Sequence, residues 1–292
     1  MYYIKINTSI MTPQQYCINK TKESGSSFLP AFYFLGKEKK IALTALYAFC
    51  REVDDIVDEC EKYEEGKVKL DWWRSEIDRL FSRDPQHPVT KLLLNYIDKF
   101  DLNKNYFNEI IDGMEMDLNL NRYENFKQLQ HYCFRVASAV GILSAKIFGF
   151  NNIETLKYAH DMGIALQLTN IIRDLGEDAK RGRIYIPLDE LKLFGVTEAD
   201  ILNYTNSEKI KKLVIFLSRR AHDFYLSATI HLPIEDKRKQ LPGLMMGNIY
   251  FILLKEIIKN EPEKILNQRT ILPTFKKLFI VIACFMNYTW IK

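Results

Sequence analysis

The stretch "IALTALYAFCREVDDIVDE" (residues 41–59) opens with ten residues that are apolar but for one threonine, then places five acidic side chains in the next nine positions. The apolar residues recur at three- and four-residue steps, so the segment reads as a helix with one face in a core. At 100° per residue, Asp54 and Asp58 stand about 40° apart around that helix. Tyr47 and Arg51 continue the same stripe toward the start of the helix, and Asp55 lies on its flank. Like charges this close repel. The end of the helix is either a solvated face or the seat of something strongly positive.

A second stretch, "LQLTNIIRDLGEDAKRGRIYIP" (166–187), carries Gln167, Asn170, Asp174 and Asp178 at steps of three, four and four. This stripe begins inside an apolar helix, where amides and carboxylates are costly to bury without partners. Two carboxylate pairs that both continue from core helices point to two walls of one cavity. Their oxygens are hard ligands, and too few His or Cys accompany them for zinc. Mg²⁺ fits, held by one or two carboxylates and completed by water and phosphate. The carboxylates are therefore read as crowded to hold cations and, through them, a diphosphate. Arg51, Arg173, Lys180, Arg181 and Arg183 surround this acid, and arginine forks bind phosphate oxygens bidentately. For Arg181 and Arg183 the alternative is a basic loop after a helix. Leu166 and Met162, beside the acidic stripe, read as core packing.

Helical periodicity extends over residues 38–60, 67–82, 88–99, 104–118, 126–148, 153–176 and 243–259, with a further stripe from Ile210 to Ala228 closed by Leu232–Pro233. No segment alternates as a half-buried strand does. With 12 Gly and 9 Pro in 292 residues, long helices are favoured over strands and turns. No linker interrupts the chain, so the reading is one all-α domain over 1–292, with its core at about 22–260. Segments 126–148 and 153–176 are nearly free of charge and rich in small residues (Ala137, Ser138, Ala139, Gly141, Gly163, Ala165), as central helices are; close packing explains them best. The net charge of +4 is dispersed, without the basic stripe of a nucleic-acid binder. Five scattered cysteines read as reduced thiols of a cytoplasmic protein. The apolar run 278–291, part of an expected final helix over 275–292, is shorter than a membrane span. It reads as a last core helix or as one lying on the inner face of a membrane.

At three places the chain resembles the squalene/phytoene synthase family of head-to-head prenyl synthases. These are "SGSSFLPAFYFLGKEKKIALTALYAFCREVDDIVDE" (24–59), "GMEMDLNLNRYENFKQLQHYCFRVASAVG" (113–141) and "QLTNIIRDLGEDAKRGRIYIP" (167–187). "SGSSF", "FCREVDDIVDE" and "GMEMDL" look most like bacterial presqualene diphosphate synthases of hopanoid pathways. The resemblance implies an isoprenoid-synthase fold, helices around an apolar cavity with two facing Asp-rich helices. It matches Asp54, Asp58, Asp174 and Asp178, with Asp55 and Asn170 beside them, to metal–diphosphate positions. Arg51, Arg173 and Arg183 match diphosphate-holding positions, and Tyr47, Tyr132 and Tyr185 match tyrosines at the reaction centre. Phe28, Val136 and Gly141 match cavity-lining positions; Ser24–Gly25 departs from the His-Ser of some relatives. Two or three Mg²⁺ ions are implied, replaceable by Mn²⁺, with prenyl diphosphates as substrates and a monomer or homodimer as the assembly. NADPH is not expected. The implied reaction joins two farnesyl diphosphates. The alternatives are phytoene synthase on geranylgeranyl diphosphate, squalene synthase if NADPH is consumed, and a non-catalytic assembly factor, against which both intact aspartate clusters speak.

Overall fold

The computed structural model describes residues 11–23, 35–60, 62–119, 122–286 and 288–291. Helices α1 (Pro13–Glu23), α2 (Lys37–Glu59), α3 (Tyr63–Phe81), α4 (Pro88–Leu93) and α5 (Lys104–Asn119) come first. Helices α6 (Phe126–Cys133) and α7 (Ala139–Phe148) are joined by a π-helical turn, Phe134–Ser138, and follow as one rod. Then come α8 (Thr155–Arg173), α9 (Leu175–Lys180), α10 (Leu188–Leu193), α11 (Glu198–Leu202), α12 (Glu208–His231), α13 (Leu241–Lys259) and α14 (Thr274–Phe285). No strand occurs among the described residues, so the protein is all-α, as its periodicity predicts.

Three expectations are corrected. The helix expected over 88–99 stops at Leu93, and turns follow. The one expected over 153–176 breaks at Asp174, whose φ of −99° and ψ of 10° leave the α-region before α9 resumes. The C-terminal helix ends at Phe285, with irregular chain after it. Helix α1 went unread because its face is short and mostly polar.

The breaks between helices are stitched by buried acids. Glu76 accepts the backbone N–H groups of Gln86 (2.7 Å) and His87 (2.8 Å), fixing the turn before α4. Asp236 does the same for Asn151 (2.7 Å) and Asn152 (3.0 Å), and takes the Thr155 hydroxyl at the start of α8. Helix α12 starts on Ser207, whose Oγ accepts the Ile210 N–H at 3.3 Å.

Two apolar cores result. One gathers α2 to α5 with the inner residues of α7; the other gathers α8, α12, α13 and α14. Helix α8 is the axis of the second, packed against α12 along its length and against the π turn, α7 and α13. Its closest approach is at Gly163, where a Cβ would sit 2.6 Å from Ser138 Cα. Helix α13 is long and apolar enough to cross a membrane, yet 67% of that stretch is buried among its neighbours. Between the two cores lies the cavity.

Candidate active site

The cavity encloses about 800 Å³ and is walled by α2, the rod α6–α7, α8 and α13. Tyr158 and Arg173 both line it, fifteen residues apart on α8, so it follows that helix for about 22 Å. Leu43, Leu46, Val136, Val140, Met162, Leu166 and Phe148 make its apolar wall. Met162 and Leu166, expected to be core packing only, are thus cavity surface. The small residues serve both purposes. Gly141 lines the cavity, and a Cβ there would stand 2.8 Å from the Ala159 carbonyl oxygen.

The polar residues gather at one end. Asp54 and Asp58 from α2 and Asp174 and Asp178 from α8–α9 line the same cavity, together with Arg51, Tyr47, Gln167, Asn170 and Arg173. The two walls touch where Arg181 Nη1 donates to Asp58 Oδ1 at 2.6 Å. Among the described residues no three carboxylates, thiols or imidazoles converge on one point, so the aspartates form opposed pairs rather than a cage.

The first wall is compensated by its own neighbourhood. Arg51 pairs with both Asp54 and Asp55. Asp55 does not line the cavity; Lys20 of α1 holds it at 2.8 Å on the helix flank. Of the expected metal set it is the residue the structure turns away. Burial raises the Asp54 pKa, Arg51 opposing it and Asp58 adding to it.

The second wall draws on distant sequence. Arg173 Nε donates to Asp174 at 2.8 Å, and Arg269, from the segment after α13, donates to the same carboxylate at 2.7 Å. Burial pushes Asp174 up, but these two guanidinium groups outweigh it and its pKa is lowered. Asp178 has no such partner: burial, then the charge of Asp174, raise it to about 7. Arg183 is not on the cavity surface but lies within electrostatic reach of Asp58, Asp117, Tyr132 and Tyr185, which raise its pKa against the opposing effect of burial. Gly176 fixes this wall to the C-terminal segment, since a Cβ there would fall 2.0 Å from the Leu266 carbonyl oxygen. Arg269 and Tyr250, whose ring lies 5.8 Å from the Arg173 guanidinium, line the cavity and were not singled out from sequence.

Beside the aspartates, Tyr132 and Tyr185 line the cavity with their rings stacked at 5.2 Å. Each donates its hydroxyl to the buried carboxylate of Asp117 at 2.8 Å. Burial raises Asp117 to about 6, in spite of both phenol hydrogen bonds. Both tyrosines are pushed well above their ordinary value by burial and then by the Asp117 charge, so they are neutral phenols. Asp117, like Arg269 and Tyr250, is a residue that the sequence reading missed. Phe28 and Ser24–Gly25 lie outside the described residues.

A helical fold with an apolar chamber, acid pairs and arginines at one end and neutral phenols beside them defines a synthase that handles hydrocarbon diphosphates. The squalene/phytoene synthase profile matches residues 21–276, and the chain belongs to that family. A phytoene synthase of Arthrospira platensis is 35% identical over 275 residues, 90% of this chain and 89% of its own length. A presqualene diphosphate synthase of Rhodopseudomonas palustris is also 35% identical, over 235 residues, 80% of this chain and 84% of that one. The crystal structure of a dehydrosqualene synthase in complex with ligand superposes with a TM-score of 0.85 at 25% identity, covering 94% of this chain and 96% of that one. The protein is a prenyltransferase for head-to-head condensation of prenyl diphosphates.

Proposed function

We propose that the enzyme condenses two farnesyl diphosphates into presqualene diphosphate, a precursor for squalene and hopanoids, with its 22–260 core acting as one catalytic domain. The observation that carries this reading is the single cavity with all four aspartates at its polar end and a continuous apolar wall beyond.

The donor set fits divalent metal. Asn170 Oδ1 is buried on this cavity with no hydrogen-bond partner, and burial and the Asp174 charge raise Asp178 to about 7, with Arg183 and Arg181 only partly opposing them. Asp54, Asp58, Asn170, Asp174 and Asp178 would hold two or three Mg²⁺ ions, or Mn²⁺. A metal bound by these residues would supply positive charge against that developing on a departing diphosphate. Arg51, Arg173 and Arg269 orient its oxygens from the same end, as preorganised cations. Leu43, Val136, Val140 and Met162 keep water from the allylic cation left behind, which water would capture at once. Tyr132 and Tyr185, held through Asp117, present neutral phenols to the developing positive charge. The double bond of the second farnesyl chain attacks that cation, and loss of a proton closes the cyclopropane. Because the phenols are held neutral, the departing diphosphate is the better base for that proton.

Phe148 and Tyr158, bulky residues at the end of the cavity away from the aspartates, support the shorter substrate. The Arthrospira platensis relative favours a second reading, phytoene synthase acting on geranylgeranyl diphosphate. Incubation with each diphosphate separately and Mg²⁺, with and without NADPH, followed by mass spectrometry of the products, tests both. Presqualene diphosphate from farnesyl diphosphate, unchanged by NADPH, is the expected result. Turnover of geranylgeranyl diphosphate alone, or squalene that requires NADPH, would overturn it.

A further inference from the structure

The end of the cavity away from the aspartates is closed by residues from three helices. Phe148 ends α7, Tyr158 stands in the first turn of α8 and Gly243 in the first turn of α13; all three line the cavity. The two rings meet over the glycine. A Cβ at Gly243 would fall 2.8 Å from the Tyr158 hydroxyl oxygen and 3.8 Å from Phe148 Cε2. The phenol reaches its place only because position 243 carries no side chain. Its hydroxyl is buried and has no hydrogen-bond partner among the described residues.

An unpaired buried hydroxyl costs stability, so folding alone favours phenylalanine at 158. What the hydroxyl adds is length, carrying the far end of the ring onto the α13 backbone. The frame around it is fixed. Gln240 Nε2, just before α13, donates to the carbonyl oxygens of Ala145 (3.2 Å) and Gly149 (2.9 Å), which ties α13 to the end of α7. Lys39 Nζ of α2 donates to the Phe148 carbonyl oxygen at 2.6 Å. A floor held this firmly discriminates by size more sharply than one that can yield. With a diphosphate at the polar end, the number of isoprene units that fit is set by where this floor stands.

We propose that Tyr158, seated on Gly243, is the residue that stops the prenyl tail and so selects the shorter diphosphate. The proposal deepens the farnesyl reading and rests on it for the preference of the wild type. Should the wild type turn over geranylgeranyl diphosphate alone, the farnesyl reading falls. The stop at Tyr158 is still decided, by whether the variants move that preference.

The test measures kcat/KM for geranyl, farnesyl and geranylgeranyl diphosphates, with Mg²⁺, in the full chain and its variants. Tyr158→Leu is expected to raise the geranylgeranyl-to-farnesyl ratio by about tenfold or more, the scale on which small changes of size in an apolar pocket discriminate. Gly243→Ala is expected to lower farnesyl relative to geranyl turnover by about threefold or more, since the phenol must leave its seat. Adding Tyr158→Phe to Gly243→Ala is expected to restore that ratio, because Tyr158 Cζ stands 3.8 Å from the position of the new Cβ, an ordinary contact. Tyr158→Phe alone is expected to leave the midpoint of thermal unfolding unchanged or raised, as the unpaired hydroxyl is gone. A geranylgeranyl-to-farnesyl ratio within about twofold of wild type in a natively helical Tyr158→Leu overturns the proposal. So does a Gly243→Ala defect that Tyr158→Phe leaves in place, and this pair decides alone if Tyr158→Leu does not fold.

Discussion

The two aspartate walls carry the same side chains and are supported in different ways. On α2 the helix runs on unbroken, and the charge is balanced locally: Arg51 sits three residues before Asp54, and Lys20 of the adjoining helix takes Asp55. At α8–α9 the helix breaks at Asp174, and one of the balancing cations, Arg269, comes from 95 residues further on. Local balance leaves a wall that needs little else to be folded. Long-range balance makes the second wall dependent on the C-terminal segment, and leaves Asp178 only partly compensated, by the more distant charges of Arg183 and Arg181. The second wall is thus where metal and diphosphate have most charge to relieve.

Replacing Asp174 with Asn tests this most severely. Turnover is expected to fall by about a hundredfold or more, with helical content unchanged in circular dichroism. Near-wild-type turnover would remove the second wall from the chemistry. Asp117→Asn comes next: it keeps the shape but removes the charge that accepts both phenols, so kcat is expected to drop about tenfold. The midpoint of thermal unfolding should barely move, because a buried carboxylate raised to about 6 contributes little net stability as an anion. A large loss of stability with kcat intact would make Asp117 structural only.

The pH dependence sharpens the same contrast. Asp178 is raised to about 7, so the metal-free folded protein binds a proton there that the unfolded chain has already lost. The stability of the metal-free protein is therefore expected to fall as pH rises from the ordinary carboxylate range through 7. Metal must displace that proton, so Mg²⁺ affinity measured by calorimetry should climb with pH, by at most about tenfold per unit, and level off above 7. A flat profile across that range would show that Asp178 is not a ligand. The smallest effect is expected at Asp55→Asn, which loses a flank ion pair: activity within about twofold and stability within about 1 kcal/mol. A hundredfold loss there would return Asp55 to the metal set.

The difference between the walls also explains what the sequence disclosed. The α2 stripe, the α8 stripe and the all-helical frame were legible because each rests on spacing within one segment. Asp55 was not resolved from its neighbours, since a residue on the flank of a stripe turns inward or outward according to what packs there, here Lys20. Asp117 lay inside the motif "GMEMDL", yet a lone Asp on an amphipathic helix reads as solvated. Its burial emerges only when Tyr132 and Tyr185, from two other segments, close over it. Arg269 sits in irregular chain with no periodic context. The break at Asp174 was hidden for a similar reason. It coincides with the contact between Gly176 and Leu266, which no local pattern encodes.

That contact bears on how the enzyme is made. At five to twenty residues per second, the ribosome needs roughly 5–20 s to go from Asp174 to Arg269. Through that interval the nascent second wall has Arg173 as its partner but neither the Leu266 backstop nor the Arg269 clamp. The catalytic end of the chamber is therefore among the last parts to assemble, and a chain stalled just short of Leu266 would hold the helices through α13 with the polar end of the cavity unfinished.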